Sequence, residues 1–210
     1  WLPKTGVNLN KSLPENPAVC LIAVKPQIIF EAISNLNRYK QRETLFISIA
    51  AGITLKQLEQ AISAESTIIR AMPNTPSAIG KGITALIVNS AVKKEHMMIS
   101  KILLEKISEV IELEHEDQMD VVTGLSGSGP AYVFYLIESL TNAGVELGLS
   151  KEKALQLAKA TVAGSGALAL SSSEKPSVLR KNVTSPNGTT QAGLEILMDK
   201  KHGLGPLIKS

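Results

Sequence analysis

Val19-Cys20-Leu21-Ile22-Ala23-Val24, closed by Lys25-Pro26, is the stretch that decides the fold. Six apolar residues in a row show no alternation, so a strand built from them is buried on both faces, as in a parallel sheet. Pro26 lacks a backbone donor and ends the run. A helix pattern follows over 28–36. The same alternation then repeats down the chain. Leu45-Phe46-Ile47-Ser48-Ile49-Ala50 is a second strand, ended by Ala51-Gly52, and Thr54 caps a helix over 55–62. Thr67-Ile68-Ile69-Arg70-Ala71-Met72 is a third strand, stopped by Pro73. Residues 83–88 make a fourth, 95–106 a helix, and 110–113 a last strand. Upstream, 6–10 reads as a short β-like piece and 11–17 as a polar connection. Strand alternating with helix predicts an α/β domain with a largely parallel sheet.

From about Gln118 long helical patterns replace the strands. Ser128 is placed to cap a helix with Pro130 in its first turn. Val133, Ile137, Leu140, Gly144 and Leu147 recur at helical spacing, and Gly148 is placed to end that helix. Ser150 caps a second helix, whose small or apolar face is Ala154, Leu157, Ala158, Thr161, Ser165 and Leu168. Gly164 and Gly166 cost helix propensity and leave room for another helix. A serine-rich break at 171–173 leads to a short helix over 176–180. The domains are therefore 1–117, α/β, and 118–210, all helical.

Composition narrows the function. Lys and Arg number 22 against 19 Asp and Glu, for a net charge of +3, and the basic residues form no block with interleaved aromatics. That argues against a nucleic-acid partner. Cys20 is the single cysteine, so no disulfide forms within the chain, which suits the reducing cytoplasm. No apolar run approaches the roughly 18–20 residues of a membrane span, so no membrane partner is expected. Trp1 is not an initiator methionine, so the chain is expected to begin inside a longer protein.

Two regions carry candidate chemistry. In open α/β sheets ligands bind beyond the carboxyl ends of the strands. Three such ends stand out: Ala23-Val24-Lys25-Pro26, Ala50-Ala51-Gly52, and Met72-Pro73-Asn74-Thr75-Pro76. Lys25 is a cation, Ala51 and Gly52 leave room for a flat ring, and the Asn74 amide can both donate and accept. Ordinary loop punctuation is the competing reading. No G-x-G-x-x-G follows a strand near the start. Gly124, Gly127 and Gly129 open the helical half instead and read as a tight inter-domain turn.

The second region is Asn182-Val183-Thr184-Ser185-Pro186-Asn187-Gly188-Thr189-Thr190. Pro186, Asn187 and Gly188 make a turn, and a helix follows over 191–198. Hydroxyl groups and orphan N–H donors at a helix N-terminus can hold a carboxylate. An ordinary N-cap with spare hydroxyls is the alternative. The acidic residues Glu112, Glu114, Glu116, Asp117 and Asp120 match no calcium loop and read as a solvated face. His96, His115 and His202 share no ligand spacing, so no metal site is expected.

These motifs resemble a known family. Gly124-Leu-Ser-Gly-Ser-Gly-Pro-Ala-Tyr132 with Asn182-Val-Thr-Ser-Pro-Asn-Gly-Thr-Thr190 looks like pyrroline-5-carboxylate reductase. Ala23-Val-Lys-Pro-Gln27, Ser48-Ile-Ala-Ala-Gly52 and Arg70-Ala-Met-Pro-Asn-Thr-Pro76 match the same family in order and spacing. Five motifs in order over the whole chain are far more specific than any one alone.

The resemblance implies a Rossmann-type NAD(P)-binding domain followed by an all-helical dimerisation domain. The first βαβ unit, with its glycine-rich phosphate loop and the loop that chooses between cofactors, is expected before Trp1. A final helix is expected at or beyond Ser210. The implied activity is reduction of L-1-pyrroline-5-carboxylate to L-proline, the last step of proline biosynthesis. NADPH is the implied cofactor, with NADH as the alternative. A homodimer through the helical domain, assembled into a larger decamer-like ring, is the implied state. By the same resemblance Thr190 is the catalytic residue, beside the imine nitrogen. Ser185, Gly188, Thr189, Thr190 and Asn182 bind the substrate. Asn10, Val24, Lys25, Pro26, Ala51, Asn74 and Asn182 contact the cofactor. Asn187 stands where the family usually has glycine; asparagine tolerates the left-handed region, so the turn is expected to persist.

Other readings compete, one being a reductase of another imine on the same scaffold. A β-hydroxyacid dehydrogenase relative needs a lysine on the helix after the domain junction, and none occurs between Pro130 and Lys151. A non-catalytic oligomeric ligand-binding relative would have no need of the hydroxyl-rich turn.

Overall fold

A computed structural model of the chain describes residues 14–34, 36, 39 and 43–209. The piece expected at 6–10, and Asn10 with it, lies outside them. Two compact units are present, 1–132 and 133–210.

The first unit is an α/β layer structure. Five strands form one sheet among the described residues: β1 Val19–Ile22, β2 Leu45–Ser48, β3 Thr67–Met72, β4 Gly82–Val88 and β5 Ser108–Glu112, in the order β1-β2-β3-β4-β5. β1, β2 and β3 are parallel, β4 is antiparallel to β3, and β5 is parallel to β4. A short turn of 3-10 helix, Thr75–Ile79, makes the β3–β4 reversal without a crossover helix. The sheet is thus mostly parallel, with one antiparallel pair where the sequence ran two strands close together.

Helices cover both faces. Alternate strand residues divide between two clusters, as the period of two requires. Phe46, Ile68, Ala85 and Ile87 join Ile29 and Ile33 of α1 (Ile29–Ser34), Leu55 and Leu58 of α2 (Leu55–Ala61), and Met119 of α4 (Gln118–Val122). Leu45, Ile47, Ile69, Ala71 and Leu86 join Leu104 of α3 (Lys94–Leu104). Each fully buried Ile, Leu, Phe or Met side chain among these contributes roughly 1.5–3 kcal/mol. Burial on both faces holds for β2, which is buried throughout. β1 is an edge strand among the described residues, so Leu21 stays exposed and Cys20 half-buried. Burial pushes the Cys20 thiol above its ordinary pKa, which keeps it protonated and unreactive at neutral pH.

Helix α2 starts as its residues require. The Thr54 hydroxyl accepts from Gln57 N–H and the Gln57 side chain accepts from Thr54 N–H, a complete capping box.

The glycine-rich segment 124–129 is not the tight turn its composition suggests. After α4 the chain continues through a π-helical turn, Thr123–Gly127, into α5, Gly129–Glu146. Ser128 is in helical conformation, bonds its N–H to Thr123 O at 2.8 Å, and caps nothing with its side chain. The hydroxyls of Thr123 and Ser126 donate to the carbonyls four residues back, at 2.8 and 3.1 Å. Such back-bonds bend helices and let an extra residue into the turn.

The second unit is helical throughout: the body of α5, then α6 Lys151–Ser171, α7 Pro176–Asn182, α8 Thr189–Leu197 and α9 Leu204–Lys209. α5 ends at Gly148, φ +101°, with Leu149 N–H on Gly144 O and Gly148 N–H on Val145 O, a Schellman ending. Ser150 caps α6. Only Ala154 and Ala158 of α6 and Thr141 of α5 are buried among the described residues of these two helices. Leu147 is 88% exposed and Leu170 86%, and Val133, Leu140, Leu157 and Leu168 are also exposed. No heavy atom lies within 4 Å of a Cβ added at Gly164 or Gly166. Long helices with apolar residues this open form a face that another chain must cover.

Candidate active site

The sheet brings the expected strand ends to one edge. Ile22, Ser48 and Arg70 align across β1, β2 and β3, and the chain leaves each strand just beyond them. After β1, Lys25 is exposed and opens a 3-10 turn, Pro26–Ile28, with Ile28 N–H on Lys25 O at 3.1 Å. After β2, Ala51 and Gly52 are exposed. Gly52 takes φ +74°, the left-handed region that favours glycine, and a Cβ there meets nothing within 4 Å. After β3, the Asn74 amide is engaged at both ends: Oδ1 accepts from Ile83 N–H at 3.0 Å and Nδ2 donates to Ser126 O at 3.2 Å. It therefore fastens the β3 end to the start of β4 and to the π turn. One N–H of the amide remains. Val24 and Pro26 are half-buried beside this edge.

One residue shapes the edge that sequence reasoning had assigned to solvent. Glu116 turns inward while Glu112, Glu114, Asp117 and Asp120 stay exposed. Its Oε1 accepts from Leu55 N–H at 2.7 Å and from Arg70 Nη1 at 2.8 Å. The Arg70 side chain is 4% exposed, so this is a buried ion pair on its arginine side. Among the described residues, no group of three or more His, Cys, Asp or Glu side chains gathers to hold a metal.

The hydroxyl-rich turn lies in the second unit. Asn187 adopts φ +58° and is the sole non-glycine residue with positive φ among those described. Gly188 N–H closes the turn on Ser185 O at 3.1 Å. Helix α8 begins at Thr189, two residues earlier than expected, because Gly188 serves as N-cap. Having no side chain, it leaves the first N–H groups uncapped. The first ladder bond runs from Ala192 N–H to Gly188 O, at 3.2 Å. The N–H groups of Thr189, Thr190 and Gln191 thus face outward at the positive end of the helix. The side chains of Ser185, Thr189 and Thr190 are exposed.

Gln191 was missed from the sequence. Its Oε1 accepts from Asn187 N–H at 2.8 Å and its Nε2 donates to Glu195 Oε1 at 3.1 Å, so it holds the left-handed residue in place. A glutamine three residues after the N-cap is the signal that could have found it. The Thr184 hydroxyl instead donates back to Arg180 O at 2.7 Å, and Asn182, the last residue of α7, donates to Glu174 Oε2 at 3.3 Å. This turn can bind an anion and donate a hydrogen bond from a threonine hydroxyl.

The chain is similar to known proteins along most of its length. The family model described as pyrroline-5-carboxylate reductase dimerisation matches residues 116–208. Pyrroline-5-carboxylate reductase 1 of Bacillus spizizenii is 38% identical over 203 residues, covering 97% of this chain and 67% of that protein. The pyrroline-5-carboxylate reductase structure from Coxiella burnetii superposes with a TM-score of 0.86 at 37% identity, over 93% of this chain and 72% of that one. The Plasmodium falciparum pyrroline carboxylate reductase, solved with NADP bound, gives a TM-score of 0.78 at 35% identity, over 85% and 71%. With these likenesses spread over both units, the chain belongs to the pyrroline-5-carboxylate reductase family.

Proposed function

We infer that the protein reduces L-1-pyrroline-5-carboxylate to L-proline with NADPH, NADH being the alternative donor, as the last step of proline biosynthesis. The observation that carries this reading is the uncapped 187–190 turn at the start of α8, in a chain of this family. The substrate is a cyclic imine bearing one carboxylate. The N–H groups of Thr189 and Thr190 and the Ser185 hydroxyl hold the carboxylate, each charge-assisted bond being worth about 1.5–3 kcal/mol; the Gly188 N–H, expected to join them, is instead bonded to Ser185 O and shapes the turn. The Thr190 hydroxyl donates to the imine nitrogen. A threonine is not acidic enough to give up that proton, so the proton that ends on nitrogen comes from water or enters with the substrate as iminium. Asn182 closes the site beside the turn.

The exposed, unencumbered backbone at Ala51 and Gly52 fits a flat cofactor ring, and the Lys25 cation fits the negative charge of the cofactor phosphates. Val24, Pro26 and Asn74, with Asn10 outside the described residues, complete the cofactor contacts in this reading. When bound, the cofactor supplies the hydride that reaches the imine carbon. What the chain itself contributes is positioning and electrostatics. The reading divides these tasks between 1–117, for cofactor, and 118–210, for substrate and dimerisation. The open apolar helices of the second unit support a homodimer, and the reading extends it to a ring of dimers in the cytoplasm.

Thr190→Ala tests the site. NADPH oxidation followed at 340 nm with pyrroline-5-carboxylate should fall about ten-fold or more in kcat, the value of one hydrogen bond of roughly 1–2 kcal/mol. Wild-type kcat and KM in Thr190→Ala would remove Thr190 from the mechanism.

A further inference from the structure

The Glu116 carboxylate joins three elements of the first unit. Leu55, whose N–H it accepts, is the first residue of α2; Thr54 serves the N–H two residues further on, so Glu116 satisfies one that the cap leaves over. Arg70, its other donor, sits beside Ser48 in the register, where β2 gives way to the 49–54 loop. Glu116 itself lies just before α4, with Met119 N–H on its own carbonyl at 3.0 Å. A single oxygen therefore ties the far end of the 49–54 loop to the strand beside its near end.

We propose that Glu116 is a positioning residue for the cofactor, fixing the loop that carries Ala51 and Gly52 through Leu55 N–H and Arg70. This rests on the reading that Ala51 contacts the cofactor. The carboxylate touches no reacting atom. Without its charge, the buried Arg70 loses its counter-ion and turns toward water, and the start of α2 loses an acceptor. The loop then samples other arrangements, and cofactor binding must order it again. The 187–190 turn belongs to the other unit and shares none of these bonds. A selective effect on the cofactor is therefore the signature, one that general loss of stability does not produce.

The test uses the full-length protein, varying NADPH at saturating pyrroline-5-carboxylate and the reverse. Glu116→Gln should raise KM for NADPH about ten-fold, the loss of one charge-assisted bond, with KM for the imine and kcat within about three-fold of wild type. Glu116→Asp keeps the charge but is one methylene too short to reach both donors, so it should raise KM for NADPH by less. Light scattering should still find the dimer for both. An unchanged KM for NADPH, or a rise in both KM values together with lost thermal stability, overturns the proposal and leaves Glu116 a structural support. Ala51→Leu separates the two layers of the reading. If it too leaves KM for NADPH unchanged, the cofactor assignment of the loop fails and this proposal falls with it.

Discussion

Replacing Asn74 by alanine separates two tasks that its amide could perform. The Oδ1 bond to Ile83 N–H, at 3.0 Å, satisfies a donor at the start of β4. Leaving that half-buried N–H unpaired costs about 1–2 kcal/mol. The 3.2 Å bond from Nδ2 to Ser126 O is a neutral bond of ordinary length, worth about 0.5–1 kcal/mol. The expected loss is therefore about 1.5–3 kcal/mol. With a urea m-value of about 2 kcal/mol/M, the unfolding midpoint falls by about 0.7–1.5 M. Equilibrium urea unfolding followed by circular dichroism, at fixed protein concentration because the chain dimerises, measures it. Asn74→Asp keeps the acceptor for Ile83 but sets a carboxylate oxygen against the Ser126 carbonyl. It should lose comparable stability at neutral pH and recover part of it as the acid protonates. A midpoint unchanged within error in Asn74→Ala would refute this reasoning. If KM for NADPH rose at the same time, the amide would be a ligand group and not a clasp.

Two further outcomes follow from the second unit. Asn187 sits at φ +58°, so Asn187→Gly should bind pyrroline-5-carboxylate as wild type does, while Asn187→Val should raise its KM about five- to thirty-fold, from roughly 1–2 kcal/mol of left-handed strain; equal KM values for the two variants would contradict a rigid turn. The Asp199 carboxylate accepts from His202 N–H at 2.6 Å and Lys201 N–H at 2.8 Å, which hold its pKa below the ordinary aspartate value. A depressed folded pKa stabilises above the unfolded value, near about 4, and the contribution is lost as pH falls through the lower folded value. Amide-exchange protection in α9 should be flat from neutral pH down to about 4 and fall below it in wild type, and show no such step in Asp199→Asn.

Much of the first unit was legible because its signals are local. The third strand was predicted as Thr67–Met72 and is found there, since an apolar run stopped by proline has few alternatives. Thr54, Ser150 and Gly148 begin and end their helices as expected, because cap and Schellman chemistry act within a few residues. The segment 124–129 was misread because four glycine and serine residues in a row suggest a break. Hydroxyls bonding back along the helix let the chain pass through it as a π turn. The start of α8 was displaced because a glycine N-cap has no side chain to announce it. Glu116 was hidden for a different reason. Its partners, Arg70 and Leu55, are 46 and 61 residues away in sequence, and only the folded sheet brings them to one carboxylate. Among its neighbours it looks like one more acidic residue on a solvated segment.

The most direct test of the central claim follows the hydride itself. NADPH deuterated at the transferring C4 position is incubated with the full-length protein and unlabelled pyrroline-5-carboxylate, and the product is weighed by mass spectrometry. Proline carrying one deuterium on the former imine carbon, formed in step with cofactor oxidation, is the predicted result. Unlabelled proline, or no proline from a folded dimer, would contradict the assignment of this chain as an imine reductase.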